Sequence, residues 1–534
     1  MSIISLKYIL FIAAVVLVYY IIPKKYQWIW LLIASYAFYL TAGVYYVGYL
    51  LFTTVSTFLC GKWLGKLELA KAEEVKNGDA PKTLAERKEI KARYTKKKRL
   101  AITIAMVLNF GILAFVKYAD FTINNINGVL SHFDAGKIDF LHIALPLGIS
   151  FYIFQSMGYL VDVYRGKVKA DDNIFRFALF VSYFPQIIQG PIGRYQPLAD
   201  QLYEKRSFDY DRVKFGVQRM LWGYFKKMVI ADRIAVLVDE VFFNYKVNGY
   251  EGFIVFIAVL LYGIQIYADF SGGMEIVCGA SEMLGIDLAE NFRRPFMARS
   301  VAEFWQRWHI TLGAWMRDYL FYPLALSKPF NKMSRSLRKH GSNYVAKILP
   351  TCLASFIVFV LIGLWHGASW KYVAYGIYQA TFVSTATLFE PFYEKCRAFF
   401  HVKPEKLSFR LFQIFRTVLI ITIGRYFSRA ASFKTAISML AATFKSFNPQ
   451  TLFDGTLHNL GNLGLINFLF MLLMIVFLFL IDTLQERNIH LRETIARQNI
   501  VIRWAIYFVG IFAIIIFGMY GKGFNAASFI YQGF

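Results

Sequence analysis

Apolar stretches long enough to cross a bilayer recur along the whole of this 534-residue chain. A helix needs about 20 consecutive apolar residues to span the hydrocarbon core. Hydrophobic residues make up 57% of the chain and its mean hydropathy is +0.44, which excludes an ordinary soluble composition. We therefore predict an all-α polytopic integral membrane protein. The apolar runs are 8–22, 27–59, 100–117, 141–163, 252–270, 348–365, 371–389, 411–428, 463–481 and 504–520.

The basic residues lie mainly between these runs. A formal net charge of +25 can indicate nucleic-acid binding, but Lys and Arg between spans are typical of cytoplasmic loops. Residues 62–99 contain 13 Lys or Arg against 6 Asp or Glu, which predicts a basic cytoplasmic loop. The run 27–59 is long enough for two helices with a break near Gly43, so three spans precede this loop. We expect an extracytoplasmic N-terminus, an extracytoplasmic tail at 521–534 and no nucleic-acid partner.

Two segments differ from simple spans. Residues 179–197 combine prolines and glycines with high hydrophobicity, and residues 304–324 mix charges with aromatic side chains. Such segments are tolerated at membrane depth when they are buried in protein or line a wet cavity, so we predict re-entrant or tilted helices around a central site. Within the second segment, Arg307, Arg317 and Asp318 are expected to form ion pairs that fix a tilted helix.

Two of the eight histidines lie in strongly apolar, aromatic surroundings. They are His309 in FWQRWHITLGAW and His366 in LIGLWHGASW. An ionisable side chain at membrane depth is a functional candidate by default, although a backbone carbonyl or a nearby acid can equally satisfy a structural histidine. The glycine and small residues after His366 suit a general base, because a substrate can approach closely there. Since no second His, Cys or acid stands at ligand spacing, we expect no bound metal.

The residues that carry a family resemblance form five ordered blocks, at 146–166, 183–195, 267–272, 290–324 and 363–370. Together these blocks resemble the membrane-bound O-acyltransferase superfamily. The resemblance is strongest to its bacterial branch, which includes the membrane subunit of alginate O-acetylation and the D-alanyl transferase of teichoic acids. In that family an invariant histidine matches His366, and a second, widely shared histidine matches His309. One departure is SGGMEIVCG, where many relatives have a tyrosine-serine-aspartate run, and Glu275 is expected to replace that acid.

The resemblance implies one membrane domain over residues 1–534, with a ring of tilted and re-entrant helices around a central tunnel and an outer funnel. It implies transfer of an acyl group from a cytoplasmic thioester to an acceptor on the far side. His366 is the expected general base, and His309, with Trp308, is expected to orient substrate or stabilise the oxyanion. Trp365 and Asn291 are further candidates for substrate binding, with packing as their alternative role.

The segment FIYQGF near the end of the sequence resembles a short aromatic motif of the small helper protein in D-alanylation. By that resemblance Tyr531 would fold into the outer funnel and accept the acyl group, while Phe529 and Phe534 supply apolar contacts. A phenol is a reasonable relay, because its pKa of about 10 is comparable to that of a thiol, about 8.5. In the alternative interpretation, the tail packs on a neighbouring helix with Tyr531 at the membrane interface.

The leading hypothesis is an enzyme of the bacterial cytoplasmic membrane that O-acetylates a surface or secreted polysaccharide. No bound cofactor is expected, and acetyl-CoA is the expected donor. An extracytoplasmic acyltransferase-like or esterase-like partner would complete the transfer. One alternative is D-alanyl transfer from a carrier-protein thioester to teichoic acid. Another is a polysaccharide or lipid transporter, since broken helices and buried charges also mark transporters.

Overall fold

A computed structural model describes residues 1–76, 83–134 and 136–520, and most of them are helical. Phe529, Tyr531 and Phe534 lie outside the described residues. Seven helices within the described part are long and apolar enough to cross a membrane, which confirms the predicted all-α polytopic class. They span Val44–Lys76, Leu84–Phe133, Gly252–Met283, Asn343–His366, Leu407–Arg429, Leu465–Glu486 and Ile500–Phe517.

The described chain divides into two compact units. The first contains residues 1–217 and 277–289, and the second contains residues 218–276 and 290–520 of the described chain. The first unit is built from α1 to α8 and the beginning of α9. These helices are α1 Leu6–Ile21, α2 Gln27–Leu40, α3 Val44–Lys76, α4 Leu84–Leu130, α5 Ile149–Tyr164, α6 Ile174–Ser182, α7 Phe184–Ile187, α8 Tyr195–Tyr203 and α9 Tyr210–Tyr224.

The long apolar run 27–59 forms two helices, as predicted. The break between α2 and α3 covers residues 41–43, where Gly43 has a positive φ of 142° that favours glycine. The basic segment 62–99 is mostly helical, because α3 continues to Lys76 and α4 begins at Leu84. Thr83 caps α4 by accepting from the backbone N–H of Glu86, and the Glu86 carboxylate accepts from the backbone N–H of Thr83 at 2.8 Å.

The apolar run 141–163 differs from the predicted single span. Helix α5 begins only at Ile149, and residues 136–148 are irregular. Pro146 explains part of the difference, because the residue before a proline is biased away from the helical region. Helix α1, at 16 residues, and α17, which covers most of the run 371–389, are not among the seven helices that meet the length and composition limits.

The predicted irregular segment 179–197 is confirmed within the first unit. Helix α6 ends at Ser182, α7 is a single short turn, and residues 188–194 are not helical. The side-chain amide of Gln186 donates to Gln155 Oε1 at 3.0 Å and to the backbone oxygen of Pro191 at 2.6 Å. These bonds satisfy polar groups that a broken helix would otherwise leave unpaired in an apolar interior.

The second unit has one large apolar core and contains the candidate site. Its core gathers side chains from the helices that carry residues 230–242, 254–274, 421–439 and 457–478. The helices in this part of the chain are α10 Asp232–Asn248, α11 Gly252–Met283, α12 Val301–Arg307, α13 Ile310–Met316, α14 Tyr322–Ala325, α15 Lys328–His340, α16 Asn343–His366, α17 Trp370–Leu388, α18 Glu390–Phe399, α19 Leu407–Arg429, α20 Phe433–Lys445, α21 Thr456–Asn459, α22 Leu465–Glu486, α23 Leu491–Ala496 and α24 Ile500–Phe517.

Candidate active site

His366 is the last residue of α16, and a tight helical hairpin holds it in place. A Cβ at Gly363 would meet the backbone oxygen of Tyr372 and would lie 2.9 Å from the Cα of Gly376, so α16 and α17 touch backbone to backbone there. The chain then turns at Gly367, whose N–H donates to the oxygen of Leu364 at 3.1 Å. The imidazole of His366 is therefore buried, with 7% of the residue exposed, at a fixed helix end.

His309 lies at the sharp break between α12 and α13. It adopts left-handed backbone angles of φ 47° and ψ 52°, which are uncommon for a residue with a side chain. An isolated antiparallel bridge between Phe292 and Trp308 holds the break from one side. The N–H of Ile310 also donates to the backbone oxygen of Asn291 at 3.0 Å. The segment predicted to be irregular thus contains a defined turn that presents His309.

The side chain of Asn291 fixes the His309 ring. Asn291 Oδ1 accepts from the backbone N–H of Thr311 at 3.0 Å, which identifies this atom as the amide oxygen, and it lies 3.2 Å from His309 Nδ1. Because an amide oxygen only accepts, Nδ1 must carry the proton and Nε2 of the neutral ring is an acceptor. Burial, and secondly the neighbouring His366, lower the pKa of His309 well below its usual value, so the ring is neutral at pH 7.

The two histidines share an aromatic neighbour. The ring centroid of Trp365 lies 6.0 Å from that of His309 and 4.9 Å from that of His366. The rings of Phe270 and His309 are nearly perpendicular, with a centroid distance of 5.0 Å. The structure thus brings His309, His366, Trp365 and, through its hydrogen bond, Asn291 into one buried neighbourhood.

His366 lines a cavity in the second unit. Its lining includes Trp308, which stacks on Phe304 at a centroid distance of 5.5 Å, and two polar side chains of α19, Arg425 and Ser428. The cavity is mainly aromatic, and charges or dipoles that face it act in a medium of low dielectric constant. The remaining lining residues are Tyr262, Ile266, Tyr372, Tyr375 and Ile421.

The charged residues on either side of His309 form ion pairs, as predicted. The sequence indicated Asp318 as a partner, but it did not indicate Glu303 and Glu486 as the partners of Arg307. Arg307 bridges Glu303 at 2.8 Å and Glu486 at 3.0 Å, and Arg317 pairs with the adjacent Asp318 at 3.1 Å. The pairs with Glu303 and Glu486 connect α12 to itself and to α22. These contacts fit the predicted structural role of ion pairs that fix this helix.

Glu275 does not line the cavity. It accepts from Arg219 Nε at 2.5 Å and lies 3.6 Å from Lys226 Nζ. The neighbouring Lys227 pairs with Asp232 at 2.9 Å and with Asp269 at 2.6 Å, and all three side chains are at most 2% exposed. Asp269 belongs to the sequence block YADFSG, but the lysines were missed because adjacent charges resemble a cytoplasmic loop.

Sequence reasoning also missed Arg425 and Ser428. Arg425 lies inside the apolar run 411–428 and Ser428 ends it, and this run resembles an ordinary span. A usable signal was present, because a charged residue inside a spanning segment marks a functional site by default.

Comparisons with known proteins show the family of the chain. A family model described as "MBOAT, membrane-bound O-acyltransferase family" matches residues 167–338, a range that includes Asn291 and His309. The probable alginate O-acetylase AlgI of Azotobacter vinelandii is 31% identical over 436 residues, which cover 82% of this chain and 76% of the relative. The chain belongs to the membrane-bound O-acyltransferase family. The family resemblance of the sequence blocks is confirmed, and the protein is a multi-pass membrane enzyme that transfers acyl groups to oxygen.

Two further relatives share the family. The peptidoglycan O-acetyltransferase of Helicobacter pylori is 29% identical over 371 residues, which cover 64% of each chain. The teichoic acid D-alanyltransferase of Bacillus subtilis is 28% identical over 254 residues, which cover 47% of this chain and 60% of the relative. The similarity therefore extends over more of the chain for the named acetylating relatives than for this D-alanylating one.

Proposed function

We propose that this protein takes an acetyl group from acetyl-CoA at the cytoplasmic face and passes it across the membrane to O-acetylate a surface or secreted polysaccharide. The observation that carries the proposal is the mainly aromatic cavity that the buried His366 lines. The names of two relatives, an alginate O-acetylase and a peptidoglycan O-acetyltransferase, support an acetyl group and a polysaccharide acceptor.

His366 is the proposed general base. An alcohol attacks a thioester slowly because its alkoxide is rare at neutral pH, and a base within hydrogen-bond reach accelerates the attack by about 100- to 10,000-fold. A buried imidazole at a rigid helix end meets this requirement without a cost of reorganisation. Trp308, which lines the same cavity, would bind the acyl group or the acceptor through its ring face.

His309 is the proposed orienting residue. Since Nδ1–H faces the amide oxygen of Asn291, Nε2 is the acceptor nitrogen. A neutral ring in this tautomer can accept a hydrogen bond from a hydroxyl group but cannot donate one to an oxyanion through Nε2. Of the two roles considered for His309, the geometry favours orienting the acceptor. Trp365 contacts both rings and would keep them apart from bulk water.

Tyr531 is the proposed acyl relay between donor and polysaccharide. A phenol ester keeps much of the transfer potential of a thioester, because the two leaving groups have comparable pKa values. Phe529 and Phe534 flank Tyr531 in the sequence and would supply apolar contacts in the outer funnel. An extracytoplasmic acyltransferase-like or esterase-like partner would then move the group to the polymer. This scheme requires a bacterial cytoplasmic membrane with the N-terminus and the tail at 521–534 on the outer side.

The runner-up donor is a carrier-protein thioester of D-alanine, with teichoic acid as acceptor. It rests on the relative from Bacillus subtilis, which covers less of the chain. The two proposals differ in the donor. In the test, membranes that contain the full chain are incubated with radiolabelled acetyl-CoA or with a labelled D-alanyl carrier protein, and label on the chain is measured. Label from acetyl-CoA alone supports acetylation, and label from the carrier protein alone overturns it.

A cellular test addresses the chemistry directly. Cells carrying His366→Ala should make and export the same amount of polymer but lose its O-acetyl groups, which are measured after alkaline release. Loss of export with normal acetylation of the remaining polymer would instead support a transporter.

A further inference from the structure

We infer that Arg425 is a catalytic residue that binds the oxyanion formed at the acyl carbonyl. The inference rests on the proposed role of His366 as general base. It adds a group that stabilises the negative charge on the carbonyl oxygen. Arg425 and His366 line the same cavity, and only 4% of Arg425 is exposed. It is the lining residue of that cavity with a permanent positive charge.

The helix geometry explains why Arg425 faces the cavity. Ile421, Arg425 and Ser428 are spaced four and three residues apart on α19, so they share one face of the helix, and all three line the cavity. The next arginine, Arg429, lies one turn further along the helix and pairs with Asp239 instead. Arg425 and Arg429 therefore have separate tasks despite their proximity in sequence.

The guanidinium group of Arg425 is held rigidly. A Cβ at Gly263 on α11 would overlap with its Nη1 atom, so the group lies directly against the α11 backbone. The ring of Phe296 covers the guanidinium carbon at 5.2 Å. A donor that is fixed before the reaction stabilises developing charge without a cost of reorganisation. Because a guanidinium has five N–H donors, it can bind a substrate oxygen in addition to protein groups.

The reaction places negative charge where such a group is useful. The acceptor hydroxyl oxygen attacks the thioester carbonyl carbon while its proton passes to His366, and the carbonyl π electrons move to the oxygen. The resulting oxyanion is stabilised by Arg425. When it collapses, the carbon–sulfur bond breaks and the sulfur leaves with the proton from His366. Since His309 Nε2 is an acceptor, this oxyanion needs another donor, and Arg425 supplies it.

The test compares two inhibitors on the purified full-length protein in lipid vesicles. S-ethyl-CoA is a thioether that resembles the donor but has no charge at the acyl position. The methylphosphonothioate ester of CoA carries a tetrahedral, anionic centre there. For Arg425→Gln we expect affinity for the phosphonate analogue to fall about 100-fold and affinity for S-ethyl-CoA to stay within a few-fold. Arg410→Gln, an exposed change on the same helix, should affect neither.

Kinetics provide a second readout. Arg425→Gln should lower kcat by about 100-fold with little change in KM for acetyl-CoA, and Arg425→Lys should recover part of the loss. Gly263→Ala should produce a similar kcat defect without removing the charge, because it displaces the guanidinium. Thermal unfolding of each variant identifies any that fail to fold. If Arg425→Gln does not fold, Arg425→Lys is compared with the wild type instead.

Three results would overturn the inference. An equal loss of affinity for both analogues would assign Arg425 to donor binding or to packing, and no loss for either would remove it from the reaction. If the wild type neither cleaves acetyl-CoA nor binds S-ethyl-CoA, the proposed donor is wrong and the inference fails with it. The third result is distinguishable from the first two, because those two require an active wild type and leave the proposed donor unaffected.

Discussion

The amide oxygen of Asn291 lies 3.2 Å from His309 Nδ1 and also accepts from the backbone N–H of Thr311. This single oxygen fixes the tautomer of a buried histidine and stabilises the left-handed backbone that presents it. The residue pair therefore links the break between α12 and α13 to the chemistry of the site. A substitution at Asn291 should change both the protonation of the His309 ring and the position of that ring.

Asn291→Asp should shift the pH dependence of acyl transfer. Burial lowers the pKa of His309, so the wild-type ring stays neutral as pH falls through the physiological range. A carboxylate beside Nδ1 favours the imidazolium and raises that pKa, so the variant loses activity at a higher pH than the wild type and regains it as pH rises. Initial rates between about pH 5.5 and 9 test this. Identical acidic limbs in both proteins would show that ionisation of His309 does not affect acyl transfer, which would contradict its proposed orienting role.

His366→Ala and His366→Gln should lower the rate of acyl transfer by about 100- to 10,000-fold, because the alcohol loses its base. Donor affinity, measured by equilibrium binding of S-ethyl-CoA, should change little. His132→Ala is the matched control, since His132 is an exposed histidine in the turn after α4. A rate within a few-fold of wild type for either His366 variant would remove this residue from catalysis.

Gly363→Ala should destabilise the α16–α17 hairpin. The added methyl group would meet the backbone of Tyr372 and Gly376, and overpacking of this kind costs about 1–3 kcal/mol. Gly510→Ala provides the control, because a Cβ there meets no atom within 4 Å and the change should be neutral or slightly stabilising. Thermal unfolding in the same detergent compares the two. Equal unfolding midpoints would show that the helices do not pack as closely as described.

Lys227→Met should destabilise the second unit strongly. The substitution leaves Asp232 and Asp269 buried without their shared cation, and breaking a buried ion pair in this way costs about 3–5 kcal/mol. Lys246→Met, an exposed change on α10, should have little effect. Triple replacement of Lys227, Asp232 and Asp269 by apolar residues should restore much of the lost stability. Failure of that rescue would mean that the lysine acts through another contact.

Much of the fold could be predicted because long apolar runs identify membrane-spanning helices in a sequence. The break between α2 and α3, the irregular segment 179–197 and the turn at His309 all follow from Gly, Pro and charges within apolar sequence. The boundaries of α5 could not be predicted from hydrophobicity alone, because residues 141–148 are as apolar as a helix but are irregular. In the basic segment 62–99, the helix-forming composition of residues 84–100 agrees with the start of α4 at Leu84, but the charges do not show that α3 continues to Lys76.

The candidate site was predicted in part. His309 and His366 stood out because an imidazole is unusual in apolar sequence, and both prove to be buried and to share Trp365 as a neighbour. Arg425 was missed because one charge near the end of a long apolar run resembles an interfacial anchor. Its position against Gly263 depends on how α19 packs on α11, which no local pattern encodes.

The central claim is acyl transfer at His366 through Tyr531, and single-turnover labelling tests it most directly. Purified protein is mixed with radiolabelled acetyl-CoA, quenched at intervals, and its C-terminal peptide is analysed by mass spectrometry. The account predicts an acetyl group on Tyr531 in the wild type, no label in Tyr531→Phe, and labelling slowed at least about 100-fold in His366→Ala. Labelling of His366→Ala at the wild-type rate, or an unlabelled Tyr531 in protein that acetylates polymer, would contradict it.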